Sequence, residues 1–186
     1  MRIISGKYRG KKLFEPSDKK TRPLKDLTKE SIFNLITHSK KINSSIIDKE
    51  ILDLFSGSGS FGIECLSRGA KFVTFIENYN SVCKILKKNL KSTQSQNFEI
   101  VENNILSEET FQDLERTYDV VFLDPPYLFN NLDQLFLYIK KFKILKKNGY
   151  GIIHRNSRKS EGFSEYINIV DERNYGISKI LFFTIN

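Results

Sequence analysis

Ile51-Leu52-Asp53-Leu54-Phe55, followed by Ser56-Gly57-Ser58-Gly59-Ser60-Phe61-Gly62, is a compact apolar strand pattern that turns through glycines into a helix continuing Ile63-Glu64-Cys65-Leu66. Gly57, Gly59 and Gly62 satisfy G-x-G-x-x-G, and Glu77 closes the next apolar run, Phe72-Val73-Thr74-Phe75-Ile76, about 20 residues on. The glycines permit close backbone approach and positive φ, and an acid at the end of a second strand can accept hydrogen bonds from both hydroxyls of a ribose. Both features suit NAD and S-adenosylmethionine alike. Asp53, inside the first strand and ahead of Gly57, favours the second: an anion there opposes a pyrophosphate but helps hold an ammonium-bearing methionine moiety. Nothing downstream offers a hydride-transfer site.

Outward from this unit, strand and helix patterns alternate, which predicts a doubly wound α/β sheet. Strands are expected near Ile51–Phe55, Phe72–Ile76, Phe98–Val101, Val120–Leu123, Tyr150–His154, Ile167–Val170 and Lys179–Thr184. Helices are expected near Phe61–Ser67, Ser81–Leu90, Glu108–Arg116, Leu132–Phe142 and Gly162–Tyr166. A further helix precedes them, because Leu27, Ser31, Ile32, Leu35 and Ile36 recur at helical spacing behind the acids Asp26 and Glu30. Lys84, Lys87, Lys88 and Lys91 read as one solvated helix face. His38 reads as a surface residue at a helix end, and Ser39–Ser45 as a polar loop.

The chain has 186 residues and 39% apolar content, enough to bury a full core. No apolar run approaches membrane-spanning length, and the amino terminus lacks the apolar core of a signal peptide, so a cytoplasmic protein with no membrane partner is expected. Cys65 and Cys83 lack metal-ligand spacing and read as core residues. The net charge of +8 is concentrated at one end: residues 1–25 carry Arg2, Lys7, Arg9, Lys11, Lys12, Lys19, Lys20, Arg22 and Lys25 against Glu15 and Asp18. Tyr8 and Phe14 interleave these cations, and Gly6 and Gly10 supply turns. This predicts a small basic β-hairpin that contacts a polyanion through Lys7, Arg9, Lys11, Lys12 and Arg22. With the helix that follows, it forms an expected polyanion-binding appendage over residues 1–40, ahead of a catalytic domain over 41–186.

Asp124-Pro125-Pro126-Tyr127 follows the apolar run Val120-Val121-Phe122-Leu123, and so falls at the carboxyl end of a buried strand, where open α/β sheets place their ligands. Neither proline donates an N–H, which leaves an acidic side chain, carbonyl oxygens and an aromatic face. The Asp124 carboxylate and the Pro125 carbonyl can accept the two hydrogens of a base's amino group while Tyr127 stacks on the ring. That orients a weakly nucleophilic nitrogen for attack.

Arg2-Ile3-Ile4, Gly6–Leu13, Arg22-Pro23, Glu30, Phe33-Asn34, Leu52–Gly59, Gly62-Ile63-Glu64, Leu66–Ala70 and Asp124–Tyr127 together resemble the bacterial small-subunit ribosomal RNA guanine-N2 methyltransferases. The resemblance covers the first two thirds of the chain, including the basic segment that generic methyltransferases lack. It implies a Rossmann-like class I methyltransferase fold: a mostly parallel seven-stranded sheet with helices on both faces. It also implies S-adenosylmethionine as donor, no metal, and an exocyclic amine of 16S rRNA as acceptor, which makes residues 1–40 an RNA-binding appendage. The substrate would be that RNA free, in the small subunit or in an assembly intermediate, with the enzyme acting as a monomer. Asp124, Pro125 and Tyr127 are then the catalytic candidates, and Asp53, Gly57, Gly59, Glu77 and Asn104 the cofactor candidates.

Two positions depart from the family pattern. Leu24 replaces a threonine that could cap the first helix, and Asn104 replaces an aspartate whose acceptor role its side-chain oxygen can still fill. Beyond Gly149 the match weakens, and His154-Arg155, at the end of the fifth strand, are read as surface residues without an assigned role. Alternatives are an N6-adenine or other amino-methyltransferase on DNA or RNA, a protein-glutamine methyltransferase, and a non-catalytic RNA-binding assembly factor.

Overall fold

The structure, a computed structural model, describes residues 1–16, 24–42, 44–158 and 164–186. The strands are β1 (Glu50–Leu54), β2 (Phe72–Ile76), β3 (Phe98–Val101), β4 (Tyr118–Leu123), β5 (Leu145–Asn156), β6 (Ile167–Tyr175) and β7 (Ser178–Ile185). The helices are α1 (Asp26–His38), α2 (Ser60–Ser67), α3 (Asn80–Thr93), α4 (Glu108–Gln112) and α5 (Leu132–Lys141). The seven strands form one sheet in the order β3-β2-β1-β4-β5-β7-β6. Pairing is parallel from β3 through β5 and antiparallel where β7 meets β5 and β6, so β7 alone runs against the others. The expected α/β architecture holds.

Burial follows from period two acting on strands covered on both sides. Ile51, Val120, Phe122, Ile152 and Phe182 face one core cluster with α1, α2 and α3; Leu52, Leu54, Val121, Leu123 and Ile153 face the other with α4 and α5. The Phe61 ring of α2 stacks on Phe122 at 3.9 Å between centroids and on Phe33 of α1 at 5.3 Å. Such pairs add about 0.5–1.5 kcal/mol each beyond the area they bury. In α3, Val82, Cys83, Leu86 and Leu90 turn inward, while the lysines expected to be solvated are exposed.

Some boundaries differ from expectation, for local reasons. α4 ends at Gln112 rather than Arg116. β4 begins at Tyr118, whose buried hydroxyl meets the Thr74 hydroxyl at 2.9 Å. β5 begins at Leu145 and runs through polar residues, because Lys146 bridges Asp119 and Glu50 at the sheet's amino edge. Of the helix expected over Gly162–Tyr166, Ser164–Tyr166 form a turn and the remainder lies outside the described residues.

The expected basic β-hairpin is a tight loop closed by a single antiparallel bridge, Arg2 to Lys12. Its tip bends at Gly6 because the backbone there lies against α2: a Cβ on Gly6, at φ +80°, would sit 1.8 Å from the Ser67 carbonyl oxygen. Ile3 and Leu13 carry the loop into the core. Leu24 is likewise buried, but the residue at the cap of α1 is Lys25, so the expected loss of a cap at Leu24 falls one residue outside the capping position; α1 starts without a side-chain cap.

Candidate active site at the carboxyl edge of the sheet

Register brings the motif residues together. Leu54 of β1 lies opposite Ile76 of β2 and Leu123 of β4, and Leu123 lies opposite Ile153 of β5. The next residues of these strands form one edge: the glycine turn, Glu77, Asp124 and His154. Asp53, Asp124 and His154 follow Ile51, Phe122 and Ile152 by two positions, which puts all three on the face that carries α1 and α2.

The glycine turn is held by its acids. Gly62 N–H donates to Asp53 Oδ2 at 3.0 Å, and Gly57 N–H donates to Glu77 Oε2 at 2.9 Å. Glu77 Oε1 accepts from the N–H groups of Asn78 and Tyr79, so this carboxylate spans the turn and the loop after β2. Gly59 caps α2 at φ +84°, and a Cβ there would meet Leu86 at 2.5 Å. Burial pushes the Asp53 carboxyl well above its ordinary value of 3.8; the Gly62 N–H opposes the rise, and the charges of Asp124 and Glu77 add to it.

Asp124 is braced from β5. His154 Nδ1 meets Asp124 Oδ1 at 2.9 Å, and His154 Nε2 meets the Ser178 hydroxyl at 3.0 Å. The Arg155 guanidinium donates to the carbonyls of Pro126, at 3.2 Å, and Phe129, at 3.1 Å. The surface placement read for these two residues is therefore wrong: they are 5% and 3% exposed, because the strand continues past its apolar run and its side chains hold the acidic loop. A signal was available. Two positions after Ile152, a histidine shares that residue's buried face. Phe129 packs edge-on against Phe55 at 4.9 Å, joining the acidic loop to the end of β1, while Tyr127 keeps 38% of its surface exposed.

The remaining candidates lie further out. Asn104 is exposed after β3, and its Oδ1 accepts from Leu106 N–H at 3.0 Å, which shapes that loop. Lys7, Arg9 and Lys11 line a cleft of ≈ 540 Å³ with Ser92, Thr93 and Gln94. That cleft lies at the carboxyl end of α3; Lys11 Nζ donates to the Ser92 carbonyl, and Lys7 N–H to the Ser67 carbonyl at the end of α2. Arg22 lies outside the described residues. One connection had no sequence signal: buried Asn89 donates to the carbonyls of Ser58, at 2.9 Å, and Phe14, at 3.0 Å, and so ties the glycine turn to the segment leaving the basic loop.

The family described as Conserved hypothetical protein 95 matches residues 1–184. Ribosomal RNA small subunit methyltransferase D of Haemophilus influenzae is 35% identical over 95% of this chain and 90% of its own length; the protein of that name from Escherichia coli is 34% identical over 81% and 69%. The chain belongs to this family. A solved structure from Haemophilus influenzae, provisionally described as a methylase, superposes with a TM-score of 0.74 at 33% identity, covering 98% of this chain and 96% of its own. The family's fold is the class I, S-adenosylmethionine-dependent methyltransferase fold, and the glycine turn fits that donor. Its backbone is kept free of side chains by Gly57 and Gly59, and Asp53 and Glu77 accept its N–H groups. No helix among the described residues is long and apolar enough to cross a membrane.

Proposed function

We propose that this chain methylates the exocyclic N2 amine of a guanine in small-subunit ribosomal RNA, acting in the cytoplasm as a monomer. The RNA is presented in the subunit or an assembly intermediate. One observation carries the reading: the Asp124 carboxylate, braced by His154, stands at the strand end beside the glycine turn with 23% of its side chain open to an incoming base. The family's named relatives act on ribosomal RNA, which supports the substrate class.

S-adenosylmethionine supplies an electrophilic methyl carbon on a sulfonium. The chain's residues do the rest. Asp53, Gly57, Gly59, Glu77 and Asn104 hold the donor. Tyr127 stacks on a base turned out of its helix, and Asp124 with the Pro125 carbonyl accepts the two amine hydrogens. These acceptors align a nitrogen whose lone pair is delocalised into the ring and stabilise it as it pyramidalises. The methylated amine is acidic and gives its proton to Asp124 or water. His154 holds Asp124 in place, and Lys7, Arg9, Lys11, Lys12 and Arg22 contact RNA phosphates.

The test is transfer of labelled methyl to small subunits lacking the modification, followed by mapping of the nucleotide. The wild type is expected to label one guanine at N2. Asp124→Ala is expected to lower kcat by at least about 100-fold while donor affinity stays within a factor of about three, and an active Ala variant would refute the role. His154→Asn, whose amide nitrogen can stand where Nδ1 stands, should keep most activity; His154→Leu should not.

A further inference from the structure

A second cationic cleft, of ≈ 680 Å³, opens between the carboxyl end of α1 and the edge strand β6, lined by Asn34, His38, Lys40, Lys41 and Arg173 among others. The loop after α1 supplies two of the cations and the sheet supplies the third. Beneath it, one buried acid joins both elements: Asp171, 2% exposed at its side chain, pairs with Lys41 at 3.2 Å and with Arg173 at 3.3 Å. A single carboxylate cannot neutralise Lys40, Lys41 and Arg173, so the cleft stays positive. It does fix two of those heads in place, with 59% and 49% of their side chains still exposed. Cations held this way lose less freedom when an anion arrives.

Strand register says where the cleft lies. Arg173 of β6 is opposite Ile180 of β7, and Ile180 is opposite His154 of β5, the residue that braces Asp124. Arg173 is thus level with the acidic corner and three strands away, roughly 14 Å at the usual strand spacing. Asp171 and Arg173 lie opposite Phe182 and Ile180, which face the core cluster under α1 and α2, and Lys41 reaches Asp171 from the loop after α1, so the cleft opens on the same sheet face as Asp124. Lys7, Arg9 and Lys11 instead lie at the carboxyl ends of α2 and α3, over the β1–β3 half of the sheet.

We propose that this cleft holds the phosphodiester backbone of the substrate RNA a few nucleotides from the methylated base. The inference rests on the RNA substrate proposed above. The occupant is an RNA strand rather than a small anion because the cleft is open and carries several cations from two elements rather than a closed set of donors.

The experiment measures methyl transfer to undermethylated small subunits over a range of salt for the wild type, Lys40→Gln/Arg173→Gln and Arg173→Lys. The double variant is expected to raise KM for the subunit about 10-fold with kcat kept. It should also flatten the slope of log(1/KM) against log[salt] by roughly 1.5, about 0.7–0.9 for each phosphate no longer neutralised. Arg173→Lys keeps the charge and should keep the slope. Unchanged donor affinity and thermal midpoint certify the fold. If wild-type transfer is intact and the double variant keeps its KM and slope, the cleft is not a phosphate site. If the wild type transfers nothing to ribosomal RNA, the substrate reading itself falls, and this inference with it.

Discussion

The donor-binding role proposed for Asp53 sets function against stability in one side chain. Asp53 is 1% exposed, it organises the glycine turn through Gly62, and two further acids lie near it. Its folded pKa is therefore raised above the ordinary 3.8, burial being the larger cause. Between the unfolded and folded values the native state holds the extra proton, so stability falls as pH rises through that window, and above it the ionised carboxylate costs stability throughout. Asp53→Asn keeps an acceptor for the Gly62 N–H and removes the charge. It is expected to melt above the wild type at pH 7, by about 2–4 °C for each kcal/mol relieved, and to converge with it below pH 3.8, where both side chains are neutral. Under the donor-binding role proposed for Asp53, it should also bind S-adenosylmethionine more weakly, because an amide NH2 stands where the second carboxyl oxygen stood. Calorimetry at the two pH values with a donor titration checks both halves; a lower melting point at pH 7 would mean that the carboxylate is a net stabiliser.

At the scale of elements, the amino-terminal loop is fastened to α2 by two buried residues, Ser67 and Glu64, of which Glu64 also reaches α1. Glu64 accepts the N–H groups of Ile4, at 2.8 Å, and Ser5, at 2.9 Å, takes Arg68 Nε at 2.9 Å, and lies 3.4 Å from Lys29 Nζ of α1. Removing it leaves the buried Lys29 ammonium without its counter-charge, held only by the Arg2 carbonyl at 2.7 Å, and strands two backbone donors, so Glu64→Ala is expected to cost about 3–5 kcal/mol. Lys29→Met should cost no more than about 1 kcal/mol, since burial already pushes that ammonium below its ordinary 10.5 and Glu64 keeps its other three donors. Urea midpoints of the two variants decide the order, and equal losses would locate the fastening in the ion pair itself. This joint also shows what could be read ahead of the structure. Strand–turn–helix at Ile51–Leu66 and the acidic corner at Asp124–Tyr127 are written in local periodicity and turn chemistry, and both lie where they were expected. The basic segment's charge was legible, but its shape was not: Gly6 is required by its approach to Ser67, far away in sequence. The burial of His154 was legible from its place two residues after Ile152, but the partners of His154 and Arg155 were not: they sit on β7 and the loop after β4, and pairing across a sheet has no local signature. β5 was drawn too short because ion pairs rather than apolar residues extend it.

At the scale of the whole molecule, the question is how a net charge of +8 is used. The cations of the loop tip lie beside α2 and α3, and those of the second cleft beside β6, so four strand spacings, roughly 19 Å, separate β1 from the cleft's edge strand. The acidic corner on β4 lies between them in the order of the sheet. The loop tip sits at the carboxyl ends of α2 and α3, toward the sheet's amino edge, and sites so far apart share no side chains through which an RNA bound to both could couple them. Their contributions to binding should then add. Lys7→Gln/Arg9→Gln is expected to flatten the salt slope by roughly 1.5, as the Lys40→Gln/Arg173→Gln pair does, and the fourfold variant by roughly 3, with KM at fixed salt multiplying rather than saturating. Donor affinity, set at the glycine turn, should stay constant across the series. The measurement is subunit KM against salt for the four proteins. A fourfold variant no weaker than either double variant would mean that the two regions serve different RNA segments in alternation, never engaged together, and that only one of them positions the base at Asp124.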